Sequence, residues 1–131
     1  MRLRDKVAII TGAADGIGSD MARLFAAEGA AVVIADVARE GAERVAEEIQ
    51  AAGGRAAAIE TDISDAGQVD ELFRRTGQTY GGLDVLVNNA IWAQGDTTIV
   101  ELEEAVWDRT VDVCLKGPFL CTRRALPLMR A

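Results

Sequence analysis

Short apolar runs alternate along this chain with stretches whose apolar residues recur every three or four positions. Val7-Ala8-Ile9-Ile10-Thr11 is the first run, and Ala31-Val32-Val33-Ile34-Ala35-Asp36 the second. Arg55 to Thr61 is a third, weakened by alanines, and Leu83 to Asn88 a fourth. Continuous apolarity over five or six residues predicts parallel strands covered on both faces. Between them the period lengthens. Ile17, Met21, Leu24 and Phe25 predict the inner face of a helix from about Gly16 to Glu28. Ala42, Val45, Ala46 and Ile49 do the same for Arg39 to Ala52, and Val69, Leu72 and Phe73 for a third helix, capped by Ser64 or Asp65 and closed by Gly77, Gly81 and Gly82. A polar loop with Gly95 and Asp96 leads to a long helical stretch from about Leu102 to Met129, with Val106, Val113, Leu115, Phe119 and Leu120 among its apolar positions. Strand and helix alternate four times with short connections, which predicts an α/β doubly wound parallel sheet.

The turn after the first strand is Thr11-Gly12-Ala13-Ala14-Asp15-Gly16-Ile17-Gly18. Strand, glycine turn and helix is a layout in which main-chain N–H groups and the positive end of a helix dipole can hold a phosphate. Such a turn also serves tight packing, so the other strand ends decide. Asp36 closes the second strand, 18 residues past Gly18, where a carboxylate can accept hydrogen bonds from a ribose. Asp62 follows the third and Asn88-Asn89-Ala90 the fourth. Each has a local reading as turn or cap. Together they line the carboxyl end of the sheet, where such folds bind ligands.

Composition narrows the chemistry. The 131 residues are half hydrophobic, with two prolines, which predicts one folded domain with a sizeable core. Net charge is −7, which argues against nucleic acid or an acidic membrane surface as partner. No apolar run reaches the length of a membrane span, and the charged N-terminus lacks the pattern of a signal peptide, so the expected setting is cytoplasmic. There is no histidine, which excludes a Ser-His-Asp triad, a Cys-His pair and a histidine-ligated zinc; no metal site is expected. Cys114 and Cys121 on one helix would stand about 10 Å apart along its axis, too far for a disulfide, so both are expected as free thiols.

With Gly12-x-x-x-Gly16-x-Gly18 behind Thr11, Asp36, Asp62-Ile63 and Asn88-Asn89-Ala90, the chain resembles the short-chain dehydrogenase/reductase family from about Lys6 to its last residue. The resemblance implies a Rossmann-like sheet of order 3-2-1-4 and an NAD(P)-dependent oxidoreductase interconverting an alcohol and a carbonyl. It implies that Gly12, Asp15, Gly16, Ile17 and Gly18 line the pyrophosphate and adenosine ribose, that Asp36 holds the ribose hydroxyls, and that Asp62 and Ile63 flank the adenine. Asn89 and Ala90 would meet the nicotinamide-side ribose, and Asn88 would stabilise the strand end. Asp36 would repel the extra phosphate of NADP, Asp15 adds negative charge nearby, and no Arg or Lys stands next to Asp36 before Arg39. NAD is therefore expected over NADP.

Three departures qualify this reading. Ile91 stands where the family's asparagine motif usually closes with glycine, through substitution or a lost glycine, and puts a β-branched residue at the nicotinamide end. Cys114 occupies the position of the family's catalytic asparagine and is expected to be a small buried hydrophobe. Pro118, four residues on, has no N–H for the Cys114 carbonyl, which predicts a local kink there with that carbonyl unpaired. Finally, the family's serine and Tyr-x-x-x-Lys pair would lie past Ala131. Tyr80 is the only tyrosine, with Asp84 four residues on, and Lys6 and Lys116 are the only lysines.

The expectation is thus a single NAD-binding Rossmann-like domain over residues 1–131, incomplete at its C-terminus and lacking the groups that complete the reaction. It is expected to self-associate through the C-terminal helix or the open strand edge. Two rivals are a non-catalytic oligomerising module that pairs with full-length relatives, and an S-adenosylmethionine-dependent methyltransferase, which also combines a glycine turn with an acidic residue ending its second strand.

Overall fold

The computed structural model describes residues 1–131 and forms a four-stranded parallel sheet of order β3-β2-β1-β4. The strands are β1 (Val7–Thr11), β2 (Ala31–Asp36), β3 (Arg55–Glu60) and β4 (Val85–Val87). Helices α1 (Gly16–Ala27), α2 (Arg39–Ala51) and α3 (Ala66–Tyr80) connect them, and α4 (Glu104–Val111) runs through a π-helical segment (Asp112–Lys116) into α5 (Gly117–Arg130). Ile9 of β1 pairs with Val33 of β2 and Leu86 of β4, which leaves β1 and β2 at the centre.

Side chains alternate across a strand, and the two faces have separate cores. On one face Val7, Ile9, Ala31 and Val33 pack with Val69, Leu72 and Phe73 of α3 and with Leu120, Cys121 and Ala125 of α5. On the other, Ile10, Val32 and Ile34 pack with Ala22 and Ala26 of α1 and with Ala42, Val45, Ala46 and Ile49 of α2. Cover on both faces is why β1 and β2 are apolar throughout. No helix is long and apolar enough to cross a membrane.

The structure corrects several expectations. In α1 the buried positions are Gly18, Ser19, Ala22 and Ala26, whereas Ile17 and Leu24 are 75% and 60% exposed. Small residues let the helix approach the sheet closely, and the larger apolar side chains are turned outward, with Met21 and Phe25 at the margin of the core. Strand β4 is only three residues long, half the expected run, and side-chain bonds mark both of its flanks. The Asp84 carboxylate accepts from the Val7 N–H at 2.8 Å, and the Asn88 amide donates to the Thr122 hydroxyl at 3.2 Å. Gly77 lies inside α3, which ends at Gly81 in the left-handed conformation, φ 83°. Its N-cap is Asp65, whose side chain accepts from the N–H groups of Gly67 and Gln68. The irregularity expected at Cys114 to Pro118 takes the form of the π segment, with the Gly117 N–H bonded to the Asp112 carbonyl five residues back. The wider turn accommodates a proline that cannot donate, so the helix continues through it. Cys114 is exposed rather than buried, and Cys121 is the buried cysteine.

The two faces of the helices set different costs for one chemical change. Leu72→Ala, fully buried between α3 and the sheet, is expected to destabilise the fold by about 2–5 kcal/mol. Leu24→Ala is expected to cost under about 0.5 kcal/mol. Urea unfolding of the two variants checks this.

Candidate functional site

A cleft of about 540 Å³ lies at the carboxyl end of the sheet. Its wall comes from all four strand ends and from the C-terminal helices. Gly12, Asp15, Gly16, Ile17, Gly18, Asp36, Asp62, Ile63, Asn89 and Ala90 all line it. All ten residues singled out in the sequence therefore meet in one place. The fold adds Val37, Thr61, Ile91, Trp92, Arg109 and Val113.

The floor of the cleft is a lock between β1 and β4. Thr11 is fully buried, and its hydroxyl accepts from the N–H groups of Asn89 (3.1 Å) and Ala90 (3.0 Å) while facing the Val87 carbonyl at 3.4 Å. The Asn89 side-chain amide donates to the carbonyls of Thr11 and Gly12, at 3.0 and 3.1 Å. Gly12 has φ 68°, and a Cβ there would lie 2.7 Å from the Ala90 Cα. A Cβ on Gly18 would lie 2.7 Å from the Asn89 amide nitrogen. These glycines therefore serve packing as well: they let the turn press against the β4 end. Gly16 differs. It has φ 53°, and a Cβ there would have nothing within 4 Å, so the backbone conformation alone favours glycine. Asp15, the N-cap of α1, is exposed and makes no cap bond, so no side chain satisfies the first turn of this helix. Those N–H groups lie where an anion would be held.

Asp36 is fixed by its neighbours. One carboxylate oxygen accepts from the Ala14 N–H at 3.0 Å and the other from the Ala38 N–H at 2.9 Å. Across the cleft Asp62 accepts from the Ser64 N–H and hydroxyl and pairs with Arg109 at 3.3 Å. Burial alone would raise the Asp62 carboxyl. The Ser64 hydrogen bonds and the Arg109 charge outweigh it and hold the group below the usual carboxylate range. Ile63 is buried, and its side chain packs so closely on α5 that a Cβ on Gly117 would overlap it.

Two residues at this site were missed as individuals. Thr11 looked like the end of an apolar strand, and its role needs β4 beside it. Arg109 stood only within the long predicted helical stretch, and its partners lie 45 and 47 residues away. Cys114 is placed differently from expectation: its thiol meets the backbone of Trp92, 3.5 Å from both N and O. The other thiol is inert by environment, since burial pushes Cys121 up to about 11.

Residues 6–131 match the family model described as short chain dehydrogenase. The chain belongs to the short-chain dehydrogenase/reductase family. It is 46% identical over 127 residues to a cis-4-hydroxycyclohexanecarboxylate dehydrogenase of Sinomonas cyclohexanicum, covering 97% of this chain and 51% of that protein. Among solved structures it superposes with TM-score 0.91 on a 3-ketoacyl-(acyl-carrier-protein) reductase from Brucella melitensis complexed with NADH, at 42% identity, over 96% of this chain and 50% of the other. A metagenomic short-chain oxidoreductase in complex with NADP gives TM-score 0.92 at 35% identity, over 98% of this chain and 58% of the other. The chain spans about half the length of the curated relatives it matches. Family membership accounts for the glycine turn and the acidic strand ends together, and leaves the methyltransferase reading without support. The family binds NAD(P) at this fold.

Thr11→Val keeps the volume and removes the hydroxyl. It leaves the half-buried N–H groups of Asn89 and Ala90 without their acceptor, and is expected to destabilise by about 1–3 kcal/mol, as read by denaturant unfolding. Asp62 makes a prediction about pH. Its folded pKa is depressed, so its contribution is complete above the unfolded value and is lost as pH falls through the folded one. Asp62→Asn is therefore expected to flatten the loss of stability below about pH 4, seen by melting the two proteins across an acid series.

Proposed function

We propose that this chain is the NAD-binding unit of a short-chain dehydrogenase/reductase, with NAD preferred over NADP. The observation that carries the preference is the setting of Asp36. Its carboxylate lines the cleft, anchored by two main-chain N–H groups, with lone pairs left for a ribose diol. Val37 and Ala38 follow it, so no cation stands beside it to accept a 2′-phosphate. Arg39, the first cation after it, is bonded to Glu43 at 2.8 Å. The relatives span both cofactors, one solved with NADH and another with NADP, so these local charges are the basis for the choice.

In this reading Gly16, Ile17 and Gly18 present main-chain N–H groups to the pyrophosphate, and Asp36 accepts from the adenosine ribose. Asp62 and Ile63 border the adenine, and Asn89 and Ala90 border the nicotinamide ribose. Ile91, 79% exposed, and Trp92 shape the nicotinamide end. Bound here, the nicotinamide ring would supply the hydride donor or acceptor for an alcohol/carbonyl pair. A proton donor is also needed. Tyr80 is the sole tyrosine in these 131 residues and is absent from the cleft lining; burial raises it further from neutrality. We therefore assign cofactor binding to this unit, and assign it no hydride transfer of its own.

Self-association also belongs to the proposal. Trp107, Leu115 and Phe119 are 55%, 69% and 58% exposed along the C-terminal helices, and β4 has an unpaired edge. Sedimentation of the chain is expected to show dimers or larger species; a monomer at tens of micromolar would remove this part.

Calorimetric titration tests the cofactor. NAD is expected to bind at least about tenfold more tightly than NADP, a difference near 1.4 kcal/mol, and Asp36→Ala is expected to erase most of that margin. Tighter binding of NADP by the native chain would overturn the preference. S-adenosylmethionine is expected not to bind.

A further inference from the structure

Resting on the cofactor reading above, the geometry points to Arg109 as a positioning residue that makes Asp62 select an amino-purine over an oxo-purine at the adenine end of the cleft. Asp62 lies just past β3, and Arg109 reaches it from α4. The contacts form a directed chain. Arg109 Nη1 donates to the Ser64 hydroxyl at 2.8 Å. That hydroxyl has one hydrogen, and it donates it to Asp62 Oδ1 at 2.6 Å. The Ser64 N–H donates to the same oxygen at 3.0 Å. Arg109 Nη2 donates to Asp62 Oδ2 at 3.3 Å.

An ionised carboxylate offers about four acceptor positions. The protein fills two on Oδ1 and one on Oδ2, which leaves a single free position on Oδ2. Asp62 and Arg109 both line the cleft, with side chains 29% and 37% exposed. The free position can only accept, so a ligand group meeting it must be a donor. The 6-amino group of adenine is one. The 6-oxo group of hypoxanthine is an acceptor and would face a carboxylate lone pair.

Arg109 supplies this selectivity in two ways. Its charge stabilises the ionised, acceptor-only form of Asp62. Its planar fork holds Ser64 and Asp62 together, and the ammonium of a lysine cannot reproduce that fixed geometry. Without Arg109, the Ser64 hydroxyl loses the donor that sets its direction, and Asp62 loses the contact on Oδ2 that holds it and can rotate. A carboxylate turned away from the purine edge neither accepts from an amino group nor opposes an oxo group, so the two ligands are distinguished less.

The test compares NAD with nicotinamide hypoxanthine dinucleotide, whose purine carries a 6-oxo group and an N1–H in place of the 6-amino group and the N1 acceptor, by calorimetric titration. The native chain is expected to prefer NAD by at least about tenfold, the range of one hydrogen bond to a charged group. Arg109→Ala is expected to bring the ratio within about threefold, and Arg109→Lys to leave it between the two. Ser64→Ala is expected to lower the ratio as well. The ratio is the informative readout, because damage to the fold, or loss of a guanidinium that merely stacks on the purine, weakens both ligands equally. An unchanged ratio in Arg109→Ala, or a native chain that binds both dinucleotides alike, overturns the proposal while leaving the cofactor reading intact. Binding of neither by the native chain overturns both. Thermal melts accompany each titration, and Arg109→Lys carries the comparison if the alanine variant does not fold.

Discussion

The site depends on one hydrogen-bonded lock, between the end of β1 and the end of β4. Thr11 and Asn89 exchange side-chain-to-backbone bonds across the two strands, and the Thr11 hydroxyl also takes the Ala90 N–H. Thr11 is fully buried while Asn89 and Ala90 are half-buried, so an unmade bond here would carry part of its desolvation cost. The lock holds the glycine turn against Ala90, at a separation that admits no side chain on Gly12. The start of α1 is placed by the same contacts, since it follows directly from that turn. The rim around this floor follows from the sheet order: with β1 central, Asp36 of β2 and the loop after β4 flank the turn on opposite sides.

The rim is built differently at its two ends. Asp36 is held by main-chain N–H groups close in sequence or across one strand pairing, Ala38 and Ala14. Those donors cannot be mutated away, so this end is set by the backbone. Asp62 is held by one main-chain N–H, that of Ser64, and by the side chains of Ser64 and Arg109, the last contributed by α4. Its charge and direction therefore depend on how the C-terminal helices pack, including the close contact of Gly117 with Ile63. The π segment lies between these contacts. It carries Cys114 to the Trp92 backbone at one end of the cleft, one turn beyond the helix that carries Arg109 to the other. The Asp36 end thus rests on main-chain donors alone, and the Asp62 end adds a contact from a distant helix.

Much of this was legible in the chain. Five or six apolar residues in succession gave β1 and β2 because both faces of those strands are covered. Asp36, Asp62 and Asn89 could be found because each lies at or just past the carboxyl end of a strand run, and a parallel sheet gathers those ends. The inner face of α2 was readable to the residue, since Ala42, Val45, Ala46 and Ile49 keep a 3.6-residue period. Helix α1 was readable as a helix but not in its orientation. Its larger apolar residues suggested the buried face, yet the sheet accepts only the small ones. Cys114 was misjudged for a related reason: a thiol's average preference for burial says nothing about a site where the helix widens.

What the sequence by itself determined is the local and periodic part: the order of elements, the parallel sheet, the glycine turn and the acidic residues at strand ends. These rest on φ/ψ preferences and on the 2.0 and 3.6 periods, which any short window contains. Only the tertiary structure decided which face of α1 meets the sheet, how short β4 is, that Thr11, Asn89 and Ser64 act as holders rather than as a strand end, a turn and a cap, and that Arg109 reaches Ser64 and Asp62 from α4. Those roles are hydrogen bonds between residues 45 to 79 positions apart. Such bonds depend on strand order and helix packing, which no window of the chain contains.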